Sequence, residues 1–242
     1  AQALAALCRS TSVPLVADIH FDYRLALAAL KAGAAGLRLN PGNIGGADRV
    51  RQVALAAKER RIPIRIGVNA GSLEQNIKER HQGINAAGMV ESALKQAELL
   101  EQVGHRDIVL SLKASDVLLT VAAYRLVADK CDYPLHVGIT EAGTSRRGTV
   151  RSAVGIGILL ADGIGDTIRV SLTDDPVQEV KVGYDILQSL GLRRQGPEII
   201  SCPTCGRCQI DLTKLATEVE AKVAHIKAPL KIAIMGCAVN GP

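Results

Sequence analysis

Aliphatic runs alternate with amphipathic helical stretches along most of the chain, and this alternation restricts the possible folds more than any other feature. Six runs have the composition of buried strands, at residues 14–21, 35–40, 62–69, 107–113, 134–140 and 166–173. Each run leads into a helical pattern, with amphipathic stretches such as residues 23–32, 47–60, 91–103, 117–130 and 177–190. A repeated strand-then-helix unit predicts a parallel sheet with helical crossovers, which is an α/β fold.

The two faces of the predicted strands differ in polarity, and this difference separates a barrel from an open sheet. Alternate residues of a strand point to opposite faces. One face is aliphatic, whereas the other carries Asp18, His20, Arg38, Asn40, Arg65, Asn69, Ser111, Lys113, His136, Arg169 and Ser171. Helices cover both faces of an open parallel sheet, but a barrel turns one face toward its axis. The pattern therefore predicts a TIM-type barrel.

Six βα units are two fewer than a complete (β/α)8 barrel contains, so we expect the first two units to precede Ala1. After residue 191 the pattern changes to a short strand at 198–201, a group of cysteines, a helix at 212–226 and a strand at 230–235. The pair Gly196-Pro197 is the predicted boundary. It separates a partial barrel that binds the substrate, residues 1–195, from a small α/β domain, residues 196–242.

Composition argues against several classes of protein. Lysine and arginine number 29 against 24 acidic residues, without a basic run, and aromatic residues make up 2% of the chain. So small a basic excess and so few aromatic rings do not suit a nucleic-acid-binding surface. The longest apolar run, at 155–160, is too short to span a bilayer, and no secretory signal is recognisable. We therefore expect a cytoplasmic protein without a membrane or nucleic-acid partner.

Four of the six cysteines lie within residues 202–242, and their spacing predicts a metal centre. Two residues separate Cys202 from Cys205, two more separate Cys205 from Cys208, and Cys237 follows further along the chain. An iron–sulfur cluster and a structural zinc ion both use such spacing, and spacing alone does not choose between them. All four sulfurs are candidate ligands at this point.

A second group of residues points to an anion. The polar strand face carries three cations with an amide and a hydroxyl, namely Arg38, Arg65, Lys113, Asn69 and Ser171. A buried cation is costly unless a partner or ligand neutralises it. Either an ion-pair network with Asp18 or Glu141, or a bound diphosphate, would do so. The glycine-rich segment 41–46 follows a strand and precedes a helix, where its N–H groups could bind an anion.

Acidic and imidazole side chains occupy the ends of two predicted strands. Asp18 and His20 end the first strand, and Glu141 follows the fifth on a glycine-flanked turn. A carboxylate at the carboxyl end of a barrel strand, beside cations, is a candidate proton donor or base. Glu141 could equally cap a helix or join an ion pair.

Eight segments are distinctive in sequence: residues 13–21, 37–45, 65–73, 111–115, 138–143, 163–172, 202–205 and 236–242. They resemble the short bacterial type of the 4-hydroxy-3-methylbut-2-enyl diphosphate synthase family, which acts in the methylerythritol phosphate route to isoprenoids. The resemblance implies a TIM-type barrel followed by a ferredoxin- or sulfite-reductase-like α/β domain with a 4Fe–4S cluster. It also implies a cytoplasmic homodimer that takes electrons from flavodoxin or ferredoxin. The implied reaction is reductive ring opening and dehydroxylation of 2-C-methyl-D-erythritol 2,4-cyclodiphosphate.

The resemblance also implies a role for each matched residue. Cys202, Cys205 and Cys237 would hold the cluster, with a glutamate expected beyond Pro242 as the fourth ligand. Cys208 would then be no ligand, in contrast to the four thiolates that spacing allows. The substrate would be bound by Arg38, Arg65, Asn69, Lys113 and Ser171, with Asp18 and His20 at the same mouth. Glu141 would be the catalytic proton donor.

Two other functions stay open on the residues alone. One is a barrel lyase or transferase that acts on a phosphorylated substrate and ends in a zinc ribbon. The other is an iron–sulfur electron carrier. A cluster closed by four thiolates suits electron transfer, whereas reduction of a bound substrate needs an iron with an exchangeable position.

Overall fold

The structure is a computed structural model that describes residues 2–40, 44–194 and 196–240. The chain divides into two compact units, Ala1–Gly183 and Tyr184–Pro242. This division falls inside a helix. The boundary predicted between residues 195 and 196 lies further along the chain and stays a prediction.

The strands of the first unit are all parallel and follow one another in chain order. They are β1 (Val16–Ile19), β2 (Gly36–Leu39), β3 (Ile64–Asn69), β4 (Ile108–Lys113), β5 (His136–Val137) and β6 (Thr167–Ile168). β1 to β4 form one ladder, β5 pairs with β6, and a bridge between Leu110 and Leu135 joins β4 to β5. Parallel strands in chain order are the arrangement of a TIM-type barrel. The predicted α/β fold is confirmed.

Helices connect these strands as crossovers. They are α1 (Gln2–Ser10), α2 (Tyr23–Ala32), α3 (Ala47–Glu59), α4 (Gln75–Arg80), α5 (Ala86–Gln102), α6 (Val117–Ala128), α7 (Ser145–Ala161) and α8 (Pro176–Ser189). Side-chain caps fix several starts: Asp22 accepts from Arg24 N–H, and Asp116 accepts from Leu119 N–H. In the described part of the chain, no helix combines the length and apolarity that a membrane crossing requires.

The aliphatic strand face forms the core of the first unit. Leu37, Ile64, Leu110 and Leu112 are inaccessible to solvent. Helices α2, α5 and α6 contact the strands that carry these residues. Because neighbouring residues of a strand point to opposite faces, the polar residues lie on the other side of the sheet. The helices therefore cover the aliphatic face of the strands, as the polarity pattern predicted.

The predicted strand at 134–140 is reduced to two residues, and a side chain explains the loss. The Tyr124 hydroxyl, on α6, accepts a hydrogen bond from Leu112 N–H at 3.0 Å and donates to the His136 carbonyl at 2.6 Å. It therefore occupies backbone groups that would otherwise pair β4 with β5. β6 is also shorter than the predicted run at 166–173.

The second unit is a small α/β arrangement. It contains β7 (Glu198–Ser201), α9 (Leu212–Val223) and β8 (Lys231–Ile234), and the two strands pair in parallel with Ile199 opposite Ile232. α9 contacts both strands. Its first turn is capped by the Asp211 carboxylate, which accepts from Lys214 N–H at 3.1 Å. The sequence predicted this order of elements, with the helix extending slightly further than it does.

Candidate functional site

Strand register brings the polar side chains of the first unit to common levels. The levels are Asp18, Arg38 and Arg65 on β1 to β3, then Gly67 and Ser111 on β3 and β4, and then Asn69 and Lys113. On the neighbouring pair, His136 is level with Thr167. The carboxyl ends of β3 and β4 therefore present an amide and an ammonium side by side, where barrel enzymes build their sites.

Arg38 is buried and has partners on β1, on β3 and directly after β1. Its Nη1 donates to Asp18 Oδ1 at 2.9 Å and to His20 Nε2 at 3.2 Å, and its Nη2 donates to the Gly67 carbonyl at 3.1 Å. Position 67 has to be glycine, since a Cβ there would lie 2.2 Å from Arg38 Nε. The ion-pair network that the sequence left open is thus present for Arg38.

Lys113 lacks such a partner. Its side chain is 5% exposed, and no hydrogen bond or ion pair joins it to another residue of the described ranges. Burial lowers the pKa of Lys113 to about 6, and repulsion from Arg169, Arg65 and Arg38 adds to the shift. An anion bound beside Lys113 would favour the charged ammonium and so raise the pKa again, against both burial and the repulsion.

Arg65 is in a similar position, half-buried on β3. Desolvation lowers its pKa, and Arg38 and Arg169 act in the same direction, against the single carboxylate of Asp18. Four cations therefore share one neighbouring acid, and Arg38 already holds that acid in an ion pair. This excess of positive charge is the main electrostatic feature of the barrel's polar face.

The cluster also contains Arg169 and His136. The alternation of side chains placed both on the polar face, but the sequence analysis did not include them among the binding residues. His136 is 7% exposed, its Nδ1 lies 2.8 Å from Thr167 Oγ1, and its buried Nε2 has no hydrogen-bond partner within the described residues. Burial, followed by the Lys113 charge, lowers the pKa of His136 to about 2, so the ring is neutral.

The other predicted binding residues differ in exposure. Asp18 and His20 are exposed at the end of β1, with their side chains 3.3 Å apart. Asn69 and Ser171 are half-buried. In the predicted anion loop at 41–46, residues 41–43 lie outside the described residues, so that loop stays a prediction.

Glu141 is exposed and adopts a left-handed backbone conformation, with φ of 52°. It does not cap α7, because the N-cap residue of that helix is Thr144. Within the described residues its carboxylate makes no hydrogen bond or ion pair. A left-handed conformation costs a residue with a side chain about 1–2 kcal/mol, and such strain is concentrated at functional sites.

Four cysteines of the second unit line one cavity of about 100 Å³, together with Arg207 and Asn240. Cys202 follows β7 directly, and its Sγ accepts a hydrogen bond from Asn240 Nδ2 at 3.2 Å. Hydrogen bonds from the backbone N–H groups of Asn240 and Val239 lower the pKa of Cys237. N–H groups directed at thiolate sulfur are typical of iron–sulfur sites, whose potentials they help to set.

Cys208 differs from the other three cysteines of the cavity. Its thiol donates to the Ile210 carbonyl at 3.3 Å. It also packs against Gly236, where a Cβ would lie 2.5 Å from the Cys208 sulfur. Cys208 therefore already has a structural role in joining the cysteine loop to the end of β8. Among the described residues, no three or more histidine, cysteine, aspartate or glutamate side chains are close enough together to hold one metal ion.

These features define a class: a TIM-type barrel protein with a cationic site at the strand ends, followed by a small cysteine-bearing α/β unit. Residues 1–184 match the GcpE TIM-barrel domain, and residues 198–242 match the GcpE protein C-terminal domain. The chain belongs to the GcpE family.

Individual relatives agree with this assignment. A protein of Caldanaerobacter subterraneus subsp. tengcongensis is 63% identical over 231 residues, which are 96% of this chain and 65% of the relative. A Geobacter sulfurreducens protein is 60% identical over 242 residues, all of this chain and 69% of the relative. Both are named 4-hydroxy-3-methylbut-2-en-1-yl diphosphate synthase (flavodoxin). The chain thus spans about two thirds of the length of these curated relatives.

A solved structure also shares the fold. The HMG-CoA lyase from Brucella melitensis aligns with a TM-score of 0.53 and 15% identity, over 77% of this chain and 71% of the lyase. At this identity the likeness concerns the fold alone.

Proposed function

We propose that this chain provides the substrate and cluster sites of a 4-hydroxy-3-methylbut-2-enyl diphosphate synthase. The reaction converts 2-C-methyl-D-erythritol 2,4-cyclodiphosphate to 4-hydroxy-3-methylbut-2-enyl diphosphate. Two electrons and two protons enter, the ring C–O bond to phosphate breaks, and one hydroxyl leaves as water. The observation that carries the proposal is the group of cations on the polar barrel face with a single neighbouring carboxylate.

The cyclic diphosphate supplies the charge that this face lacks. On the polar barrel face, Arg65 and Lys113 are buried or half-buried and have no hydrogen-bond partner in the described ranges, so they are free to bind phosphate oxygens. An arginine offers a planar pair of N–H donors, and a lysine offers a point charge. Asn69 and Ser171 add neutral donors at the same strand ends, and Asp18 and His20 line the mouth. Arg169 is a further cation at this site, in addition to the binding residues that the sequence predicted.

The cluster belongs to the second unit. Cys202, Cys205 and Cys237 would hold a 4Fe–4S cluster, because they line one cavity and receive N–H donors at sulfur. Cys202 also donates a hydrogen bond, to Met235 Sδ, but Cys208 is omitted from this set because it combines a backbone acceptor with a tight contact at Gly236. When bound, the cluster supplies electrons to the substrate. The names of the relatives favour flavodoxin as the electron donor. We place the protein in the cytoplasm as a homodimer.

Glu141 is the proposed proton donor for the departing hydroxyl. Its carboxylate is unpaired within the described residues and stands on a strained turn four residues after β5. General acid catalysis typically contributes about 10²–10⁴-fold. Glu141→Gln keeps the shape but cannot deliver a proton. In a full-length enzyme we expect kcat to fall by about that factor with KM little changed. A variant that turns over at the parent rate would remove Glu141 from the mechanism.

Calorimetric titration of this chain with the cyclic diphosphate tests the proposal. We expect saturable binding, and Arg65→Ala should weaken it by about 10- to 150-fold, since a charge-assisted hydrogen bond contributes roughly 1.5–3 kcal/mol. Arg51→Ala is the matched control, because Arg51 pairs with Asp48 and Gln102 on exposed helix surface. Absence of binding, or equal affinity in the Arg65→Ala variant, would contradict the proposed substrate site.

A further inference from the structure

The ladder between β4 and β5 is interrupted at one defined place. Leu110 N–H donates to the Pro134 carbonyl at 2.9 Å, as a parallel ladder requires. The next N–H on the same edge of β4 is that of Leu112, and regular pairing would direct it to the His136 carbonyl. Instead, the Tyr124 hydroxyl lies between the two groups and bonds to both, at 3.0 Å and 2.6 Å.

A second hydroxyl of α6 continues this interruption. Thr120 precedes Tyr124 by four residues, so both side chains lie on the same face of the helix. Thr120 Oγ1 accepts from Ala114 N–H at 3.1 Å, one ladder step beyond Leu112. Direct backbone pairing returns only where Thr140 N–H donates to the Ala114 carbonyl at 3.2 Å. Two helix hydroxyls thus occupy the N–H groups of Leu112, in β4, and of Ala114, directly after it.

The interruption coincides with the cationic site. Two hydrogen bonds in series span the distance that one bond would normally close, so β4 and β5 are held apart there. Lys113 is adjacent to Leu112 and points to the opposite face, into the polar side of the barrel. His136 is the residue whose carbonyl Tyr124 holds. Arg169 lies beyond β5, and its charge is the strongest electrostatic influence on Lys113.

We infer that Tyr124 is a positioning residue for the anion site: its hydroxyl holds β4 and β5 apart where they carry Lys113 and His136. The spacing keeps Lys113 away from Arg169 and leaves room for phosphate oxygens between the two cations. This role rests on the proposed substrate site and adds a residue that touches no ligand. Tyr124 is fully buried, and burial raises its pKa well above the usual range, so the hydroxyl stays protonated and continues to donate to His136.

Tyr124→Phe tests the inference, because it retains the buried ring and removes only the hydroxyl. Without it, Leu112 N–H can bond directly to the His136 carbonyl, and the two strands approach each other. We expect affinity for the cyclic diphosphate to fall by about tenfold or more, since loss of one charge-assisted hydrogen bond to phosphate weakens binding by roughly 10- to 150-fold. Closer approach of Arg169 should also lower the pH at which binding begins to weaken, which loss of stability alone would not do.

Tyr133→Phe is the matched control. It removes a hydroxyl that bonds to Glu101, away from the polar face, and should leave affinity and its pH profile unchanged. If the parent chain binds no cyclic diphosphate, the proposed substrate site is wrong. If the parent binds and a folded Tyr124→Phe binds with the same affinity and pH profile, the positioning role is wrong.

A second pair of variants decides the matter if Tyr124→Phe does not fold. Thr120→Val removes the other hydroxyl at nearly constant shape, and Thr120→Ser retains it. Weaker binding by the valine variant, with parent affinity in the serine variant, would support the role of the two hydroxyls. Equal affinity in both variants would overturn it.

Discussion

Two cations of the polar face show how strand register decides whether a buried cation has an acidic partner. Arg38 and Lys113 are about equally buried, at 7% and 5% exposure. Arg38 is level with Asp18 and next to Gly67, which admits its guanidinium. Lys113 is level with Asn69, a neutral amide, and gains no counter-charge. The sequence predicted the cations together with a possible acid partner. It could not assign that acid to one cation, because the pairing depends on register.

Lys113 makes substrate binding dependent on pH. Its pKa in the free protein is about 6, so it is mostly neutral at neutral pH. A bound diphosphate favours the ammonium and raises the pKa, so binding takes up a proton. Affinity should therefore fall as pH rises above about 6, by up to about tenfold per unit until the raised pKa is reached. Both phosphates of the cyclic substrate are diesters without a further proton to lose in this range.

Calorimetry of the cyclic diphosphate in two buffers with different ionisation enthalpies measures this proton uptake directly. Lys113→Arg keeps the positive charge at every relevant pH, since arginine does not deprotonate in proteins. It should bind with an affinity that is nearly independent of pH. Uptake of no proton by the parent chain near neutral pH would show that Lys113 is already charged before the ligand binds.

At the level of elements, the hydrophobic pattern of a segment correctly predicted those strands whose formation depends on that segment alone. Strands β1 to β4 appear where the aliphatic runs predict them, because a strand with one apolar face buries it in any parallel arrangement. β5 and β6 are shorter than predicted, and the cause is visible at β5. Its predicted run is long enough for a full strand, but Tyr124 and Thr120 of α6 take the hydrogen bonds of its neighbour. No periodicity within residues 134–140 records a hydroxyl contributed from another element.

Helix boundaries were also predicted imperfectly, because they depend on contacts that the hydrophobic periodicity of a segment does not record. α5 begins at Ala86, earlier than the predicted residue 91, because Asn85 caps it by accepting from Gly88 N–H at 2.9 Å. α7 follows the run at 134–140, where a helical pattern is expected without defined bounds, and it contains several glycines. Gly155 is required there by packing, since a Cβ would lie 2.5 Å from Ile139 Cδ1. Tertiary contact, rather than helix propensity, accounts for Gly155 and for Gly148, where a Cβ would lie 2.6 Å from Leu172 Cδ2.

At the scale of the whole molecule, the two kinds of chemistry are divided between the two units. The cations of the proposed substrate site lie on strands of the first unit, whereas the cysteine cavity is lined by residues of the second. Cysteine spacing could not separate three ligands from four. The structure offers a criterion in the partners of each thiol, because Cys208 has a backbone acceptor and a tight contact with Gly236.

Serine variants at two cysteines test this division. Cys202→Ser removes a proposed ligand, so after anaerobic reconstitution we expect most of the iron and the visible absorbance of the cluster to be lost. The barrel should still bind the cyclic diphosphate, since this variant removes none of the cations of the first unit. Cys208→Ser removes a thiol that serves packing, and a hydroxyl can still donate to the Ile210 carbonyl. It should retain iron, absorbance and affinity. Loss of iron from the Cys208→Ser variant to the same extent would instead establish four thiolate ligands and a closed cluster, which cannot bind a substrate oxygen at iron.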